Sequence, residues 1–402
     1  MGSQRETRPQ VPERVGTLLR AIRDAGGRGL LVGGCVRDAL LGRRCKDLDI
    51  EVHDLDADLV RIVLKRFGRV DEVGRAFGVF KLRLGGMELD IGLPRRDTKV
   101  GDGHTGIRAT PDPALGLAEA ARRRDLTINA ISWDPLTDEL IDPFDGISDI
   151  HARRLRAVDA TTFAEDPLRA LRVVQFAARF AFDVDPALLD LCRTMPLGEL
   201  PPERIAGEVE RLLLLAPRPS VGWRVAVQAE LWRRVLPSWQ KPCPADVDRI
   251  AALPIDGQPR RLAVLLAATG TAPEVEDVLH RLQLHGWLGY AVRDQAMALA
   301  MARDNANDAR SPATRARHLA ERLEVELFAA LTDDLGLAEA AEALGVGRAP
   351  LCPLIGGRDL LELGMRPGPS VGRLLAEVRH EQLDGHLVTP DAAMAWARTR
   401  LQ

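Results

Sequence analysis

The chain has 402 residues, 46% of them hydrophobic and 28% charged, with a net charge of −3. That length can bury more than one core, so two or more domains are expected, and no apolar run is long enough to span a bilayer. The charge balance disfavours a uniformly basic RNA-coating protein but allows an enzyme with a local basic groove, while a single Tyr and 4% aromatics argue against a long base-stacking platform.

Cys35, Cys45, Cys192, Cys243 and Cys352 show no Cys-x-x-Cys spacing and make an odd total, which speaks against zinc and a disulfide framework. A reducing cytoplasm is the expected compartment. Residues 1–12 are polar and lack the hydrophobic stretch of a signal peptide.

The first strand signal is the apolar run Leu30–Val32. Gly33-Gly34 follows it, then a helical segment in which Arg37 faces the turn. After Gly42 the chain reaches Asp47-Leu48-Asp49, the expected start of a strand continuing to Val52. Alternation along that strand puts Asp47 and Asp49 on one side, close enough to share divalent cations. Glycine N–H groups can approach a triphosphate and paired carboxylates can hold Mg²⁺ against it, as nucleotidyl transfer requires. Val79–Leu84 and Met87–Ile91 predict two strands around Gly85-Gly86, a hairpin turn. Asp90 lies on the second of them. If that strand pairs with the Asp47/Asp49 strand, Asp90 joins as a third carboxylate; otherwise it is a polar strand end.

Arg122-Arg123-Arg124-Asp125 precedes the apolar stretch that begins at Leu126. The arginines suit phosphates and Asp125 a ribose hydroxyl, or the run is a solvated basic helix end. Glu165-Asp166-Pro167-Leu168-Arg169-Ala170-Leu171-Arg172 opens a helix, with Asp166 as its cap and Pro167 in its first turn. Asp166 and Arg169 also form an acceptor–donor pair matching the pairing edge shared by cytosine and adenine. Uracil and guanine reverse that order and would leave buried groups unpaired. From about residue 163 the pattern is helical, as in Leu168–Phe180, Ala187–Arg193 and Glu203–Leu215, with Pro/Gly-rich joints near 237–259 and 348–357.

These motifs together resemble the class II tRNA nucleotidyltransferases (CCA-adding enzymes) and the related bacterial poly(A) polymerases. The segments that carry the resemblance are Leu31-Val32-Gly33-Gly34-Cys35-Val36-Arg37-Asp38, Lys46-Asp47-Leu48-Asp49, Arg123-Arg124-Asp125-Leu126-Thr127-Ile128-Asn129-Ala130 and Glu165-Asp166-Pro167-Leu168-Arg169. Val73-Gly74-Arg75, Gly103-His104-Thr105-Gly106, Gly357-Arg358-Asp359-Leu360 and Pro367-Gly368-Pro369-Ser370-Val371-Gly372 add to it. The resemblance implies an α+β protein: a nucleotidyltransferase head over 13–155, with a mixed sheet and helices, followed by an all-helical neck (156–240), body (241–347) and tail (348–402). The tail is expected to contact tRNA.

Carried over to this chain, the resemblance assigns the triphosphate to Gly33, Gly34 and Arg37. It assigns both Mg²⁺ ions to Asp47 and Asp49, with Asp90 near the attacking 3′-hydroxyl. Arg124 and Asp125 would bind the nucleotide, Asp166 and Arg169 would template the base, and Arg172 would contact phosphate or base nearby. The expected reaction adds CCA from CTP and ATP to the 3′ end of tRNA, through contacts to that end and the acceptor region. Addition of CC only, of A only, or of poly(A) shares the chemistry. A small-molecule nucleotidyltransferase or a non-catalytic RNA-binding module stand further off. The loop from about Arg95 to Leu117, with Gly101, Gly103 and Gly106, corresponds to a mobile segment tied to the switch from C to A. Two departures stand out: Gln175 replaces an arginine found in many relatives, and the one His-Asp pair, His53-Asp54, gives no sign of a phosphohydrolase domain.

Overall fold

The computed structural model describes residues 7–45, 47–72, 78–99, 107–305 and 309–401. Lys46, Val73-Gly74-Arg75, Gly101 and Gly103-His104-Thr105-Gly106, all singled out in the sequence, lie outside the described residues. The chain divides into two compact units, one of Met1–Leu212 with Val221–Val235, the other of Leu213–Ser220 with Leu236–Gln402.

The first unit begins with helix α1 (Glu13–Asp24), whose buried Val15, Leu18, Leu19 and Ile22 recur at the spacing of one helical face. Strand β1 (Arg28–Val32) lies against it, and a Cβ at Gly29 would come within 2.6 Å of the Leu19 side chain, so the close approach requires glycine. Helix α2 (Gly34–Leu40), β2 (Asp49–His53), α3 (Ala57–Lys65), β3 (Arg69–Glu72), β4 (Val79–Leu84) and β5 (Met87–Gly92) follow. Gly85 and Gly86 both have positive φ, +56° and +86°, as the two-residue turn between β4 and β5 demands. Strands β6 (Arg95–Lys99) and β7 (Ile107–Pro111) form a separate antiparallel ribbon, so the flanks of the expected mobile loop are regular structure. After α4 (Leu117–Arg122) come a 3₁₀ turn at Thr127–Asn129, then β8 (Ser132–Asp134) and β9 (Glu139–Ile141).

The main sheet has the order β3-β4-β5-β2-β1-β8-β9. Its β2–β5 pair is parallel and brings Asp49 opposite Asp90, while the other pairs are antiparallel. The sheet is therefore mixed, as expected. The strand expected from Asp47 instead starts at Asp49. Pairing with β1 runs from Arg28↔His53 to Leu31↔Ile50, and at Gly33 (φ +70°) the chain turns away. Asp47 and Leu48 thus have no β1 partner to hold them in the ladder.

Helix α5 (Gly146–His151), β10 (Arg154–Leu155), α6 (Ala160–Ala164) and α7 (Leu168–Phe180) lead on from the sheet. Helix α7 ends at Ala181 in the left-handed conformation. Strand β11 (Asp183–Val184) then pairs in parallel with β10, a short exception to the all-helical expectation. Beyond it lie α8 (Pro186–Thr194) and α9 (Pro202–Leu215).

The second unit is built of helices from Asp246–Ala251 to Pro390–Arg400. Its last helices enclose Ile355, Leu360, Leu374, Val378, Leu387, Ala393 and Ala397. Among the described residues no helix is long and apolar enough to cross a membrane.

Candidate active site

Residues from five segments of the first unit line one cavity of about 400 Å³, a size typical of a small-molecule site. Gly33 and Gly34 form one wall. A Cβ on Gly33 would stand 3.0 Å from Nη1 of Arg124, so a larger residue would press on that guanidinium as well as strain the turn. Arg37 lines the same wall, only 4% exposed, with Phe176 and Phe180 rings beneath its guanidinium at 5.2 and 4.8 Å. Its Nε and Nη2 donate to Asp38 at 2.8 and 2.6 Å, and its Nη1 donates to Asn129.

Of the three carboxylates, Asp49 is half-buried and lines this cavity, whereas exposed Asp47 opens onto a second cavity with Arg43, Arg44 and Met87. Asp90 pairs with Lys81 at 3.3 Å. Burial pushes the Asp49 carboxyl up, the charges of Asp90 and Asp47 add to this, and Arg124 opposes it. The three carboxylates therefore share one electrostatic neighbourhood. Among the described residues no three His, Cys, Asp or Glu side chains form a metal cage by themselves. An oxygen-only set of carboxylates, Asp49 with Asp47 and Asp90 near it, still fits Mg²⁺, which is usually held by one or two carboxylates plus substrate phosphates.

The arginines stand at a helix end, one of the two readings of the run: α4 ends at Arg122, and the apolar stretch that follows forms only a single 3₁₀ turn. Arg122 is spent on Glu119 and Asp159. Arg123 pairs with buried Glu51 at 2.8 Å, and Arg124 lies 3.9 Å from the same oxygen. Burial pushes Glu51 up, but the His53 hydrogen bond and the charges of Arg124 and Arg123 outweigh it and hold the acid at about 2. Glu51 is thus an anionic anchor that fixes both arginines at the cavity. Asp125 is buried, accepting from Leu126 N and Asn129 Nδ2 on Oδ1 and from Arg172 Nε on Oδ2.

At the opposite end, Asp166 does cap α7: its Oδ1 accepts from Leu168 N at 3.1 Å. Its Oδ2 accepts from Nη2 of Arg204 at 2.9 Å. Arg169 donates from Nη1 and Nη2 to the carbonyls of Thr162 and Arg123, which ties α7 to the end of α4. Asp166, Arg169, Arg172 and Arg204 all face the cavity. Gln175 is buried on α7 without lining it, and its Oε1 accepts no hydrogen bond.

Sequence reasoning gave no role to Arg204, Glu51 or Asn129. Arg204 and Glu51 carry no local signal of a role at the cavity, since the partners that give them one, Asp166 and Arg123, are distant in the chain. Asn129 stood inside a quoted motif, and its polarity within Thr127-Ile128-Asn129-Ala130 was the available clue.

Residues 30–156 match the poly A polymerase head domain family. The chain is 38% identical over 301 residues to a CCA-adding enzyme of Bordetella pertussis, covering 72% of this chain and 77% of the relative. It is 41% identical over 194 residues to a multifunctional CCA protein of Xylella fastidiosa, covering 46% and 44%. The chain spans about half the length of such multifunctional relatives. In structure it is similar to the Bacillus stearothermophilus CCA-adding enzyme in complex with CTP, at TM-score 0.66 and 22% identity over 98% of both chains. It is also similar to the Thermotoga maritima CCA-adding enzyme complexed with tRNA, at TM-score 0.66 and 20% identity over 100% of both. At those identities the solved structures establish the fold, and the Bordetella relative establishes the family: the chain belongs to the CCA-adding enzymes.

Proposed function

We propose that the protein adds CCA to the 3′ end of tRNA from CTP and ATP, releasing pyrophosphate at each step, with Mg²⁺ as its metal. The observation that carries this reading is the single cavity onto which a glycine turn, Asp49, Arg124-Asp125 and Asp166/Arg169 converge. Solved relatives described as bound to CTP, ATP and tRNA support the same substrates.

Asp47 and Asp49 would hold the metal ions, with Asp90 beside them. Bound there, the metal supplies Lewis-acid stabilisation of the attacking and leaving oxygens. Gly33, Gly34, Arg37 and Arg124 hold the triphosphate, and Asp125 accepts from the ribose. Asp90, opposite Asp49 on the neighbouring strand, would sit near the attacking 3′-hydroxyl. Asp166 and Arg169 offer the base an acceptor and a donor fixed by α7, a protein template that accepts C and A alike. Free thiols at all five cysteines support a reducing, cytoplasmic setting.

The test is Mg²⁺-dependent incorporation into tRNA transcripts ending before CCA, after C and after CC, each offered CTP, ATP or both. Full CCA with a clean stop on the first transcript is the expected result. CC alone, A alone on the last transcript, or long A tails would reassign the chain within the chemistry. No incorporation on any transcript would overturn the reading.

A further inference from the structure

Asn129 is 5% exposed at the end of the 3₁₀ turn and bridges two charged groups of opposite kind. Its Oδ1 accepts from Arg37 Nη1 at 2.5 Å, and its Nδ2 donates to Asp125 Oδ1 at 2.8 Å. Arg37 can only donate and Asp125 can only accept, so one orientation of the amide satisfies both. No other side chain of this length presents an acceptor and a donor together. An aspartate would set carboxylate against carboxylate, and an apolar residue would strip both buried ions of a partner.

The consequence lies at Asp125. Each carboxylate oxygen accepts about two hydrogen bonds. Oδ1 is filled by Asn129 Nδ2 and the Leu126 N–H, while Oδ2 carries Arg172 Nε at 2.7 Å and keeps one position open. Asn129 therefore fixes which oxygen of Asp125 is available and where it points. The bonds also close a ring, because Arg37 sits over the Phe176 and Phe180 rings of α7, the helix that bears Arg172.

Resting on the proposed nucleotidyltransferase reading, we propose that Asn129 is a positioning residue for sugar recognition, leaving Asp125 one acceptor site for the ribose 2′-hydroxyl. Selection of ribonucleotides over deoxyribonucleotides then depends on Asn129, while selection between bases does not.

The experiment compares CTP with dCTP, by kcat/KM on a tRNA transcript ending before CCA and by equilibrium binding of each nucleotide without RNA. In Asn129→Ala the preference for CTP over dCTP should fall at least about tenfold, with the CTP to UTP preference unchanged. Asn129→Asp, which keeps size but loses the donor to Asp125, should lose the preference too. A parallel fall for CTP and dCTP, or full preference in Asn129→Asp, would overturn the proposal. So would equal binding of the two nucleotides by the wild-type protein. If Asn129→Ala fails to fold, Asn129→Ser read by binding gives the same comparison. A wild-type protein that incorporates nothing yet shows an Asn129-dependent binding preference would sink the tRNA reading and sustain this one.

Discussion

Arg204 donates from Nη2 to Oδ2 of Asp166 at 2.9 Å, joining α9 to the first turn of α7 across 38 residues of chain. With Oδ1 held by Leu168 N, the carboxylate of Asp166 is fixed at both oxygens. It presents to the cavity as a rigid acceptor, which is what a base template needs. Asp166→Ala should therefore admit UTP or GTP, relaxing the preference for CTP by about 10- to 100-fold. Arg204→Ala should relax it in the same direction by less, since the cap bond remains. Steady-state incorporation of the four nucleotides measures both, and uniform loss for all four would mark Asp166 as a helix cap only.

Asp49 meets Asp90 in register across the one parallel pair of the main sheet. Asp49→Ala or Asp47→Ala should abolish addition of every nucleotide, by more than about 10³-fold, exceeding the loss of a single electrostatic donor. Single-turnover incorporation at saturating Mg²⁺ is the measurement. Appreciable residual turnover would remove either residue from the metal site.

Gly33 has φ +70°, and a Cβ there would reach 3.0 Å from Arg124 Nη1. Gly33→Ala should cost about 1–3 kcal/mol in backbone strain, because φ +70° with ψ −128° lies outside even the left-handed α region. It should also weaken nucleotide binding through the displaced guanidinium. Calorimetric Kd values for CTP and ATP should rise together, because the effect lies at the phosphates and not at the base.

Asp149 is fully buried and accepts from Thr127 Oγ1, Arg154 and Arg156. It anchors the turn that presents Asn129. Removing it leaves the buried Thr127 hydroxyl without its acceptor, while the exposed guanidinium groups of Arg154 and Arg156 turn to water, so Asp149→Ala should destabilise the fold by about 1–3 kcal/mol. Urea denaturation followed by tryptophan fluorescence would show it as a lower midpoint.

Glu208 is 3% exposed, with Oε1 bonded to Arg211 and no partner for Oε2. Burial raises its carboxyl above the ordinary value, against the charges of Arg211 and Arg172. A raised folded-state value means that its stabilising contribution is complete only below the unfolded value near about pH 4.3. That contribution is lost as pH rises through the folded value. Glu208→Gln should thus raise the melting temperature at pH 7 by about 1–2 °C, and the gain should vanish near pH 4. Thermal melts at the two pH values decide it.

The turn glycines, the hairpin at Gly85-Gly86 and the helix Leu168–Phe180 were legible because each is set by local chemistry: positive φ, strand alternation, one apolar helical face. Strands β3 and β6 were not, since Arg69–Glu72 and Arg95–Lys99 are mostly charged and are held in place by their partners. The early start given to β2 failed because side-chain alternation through Asp47-Leu48-Asp49 does not show where the pairing with its neighbours ends.

At the cavity the division is similar. The sequence by itself determined the chemical inventory: glycines before a helix, carboxylates on a strand, arginine beside aspartate, a capped helix with Asp166 and Arg169. Only the tertiary structure decided that Asp49 meets Asp90, that Glu51 anchors Arg123 beside Arg124, that Arg204 steadies Asp166, and that Asn129 joins Arg37 to Asp125. Backbone preference acts over a few residues, whereas a buried charge takes whatever partner the folded chain brings within hydrogen-bond reach.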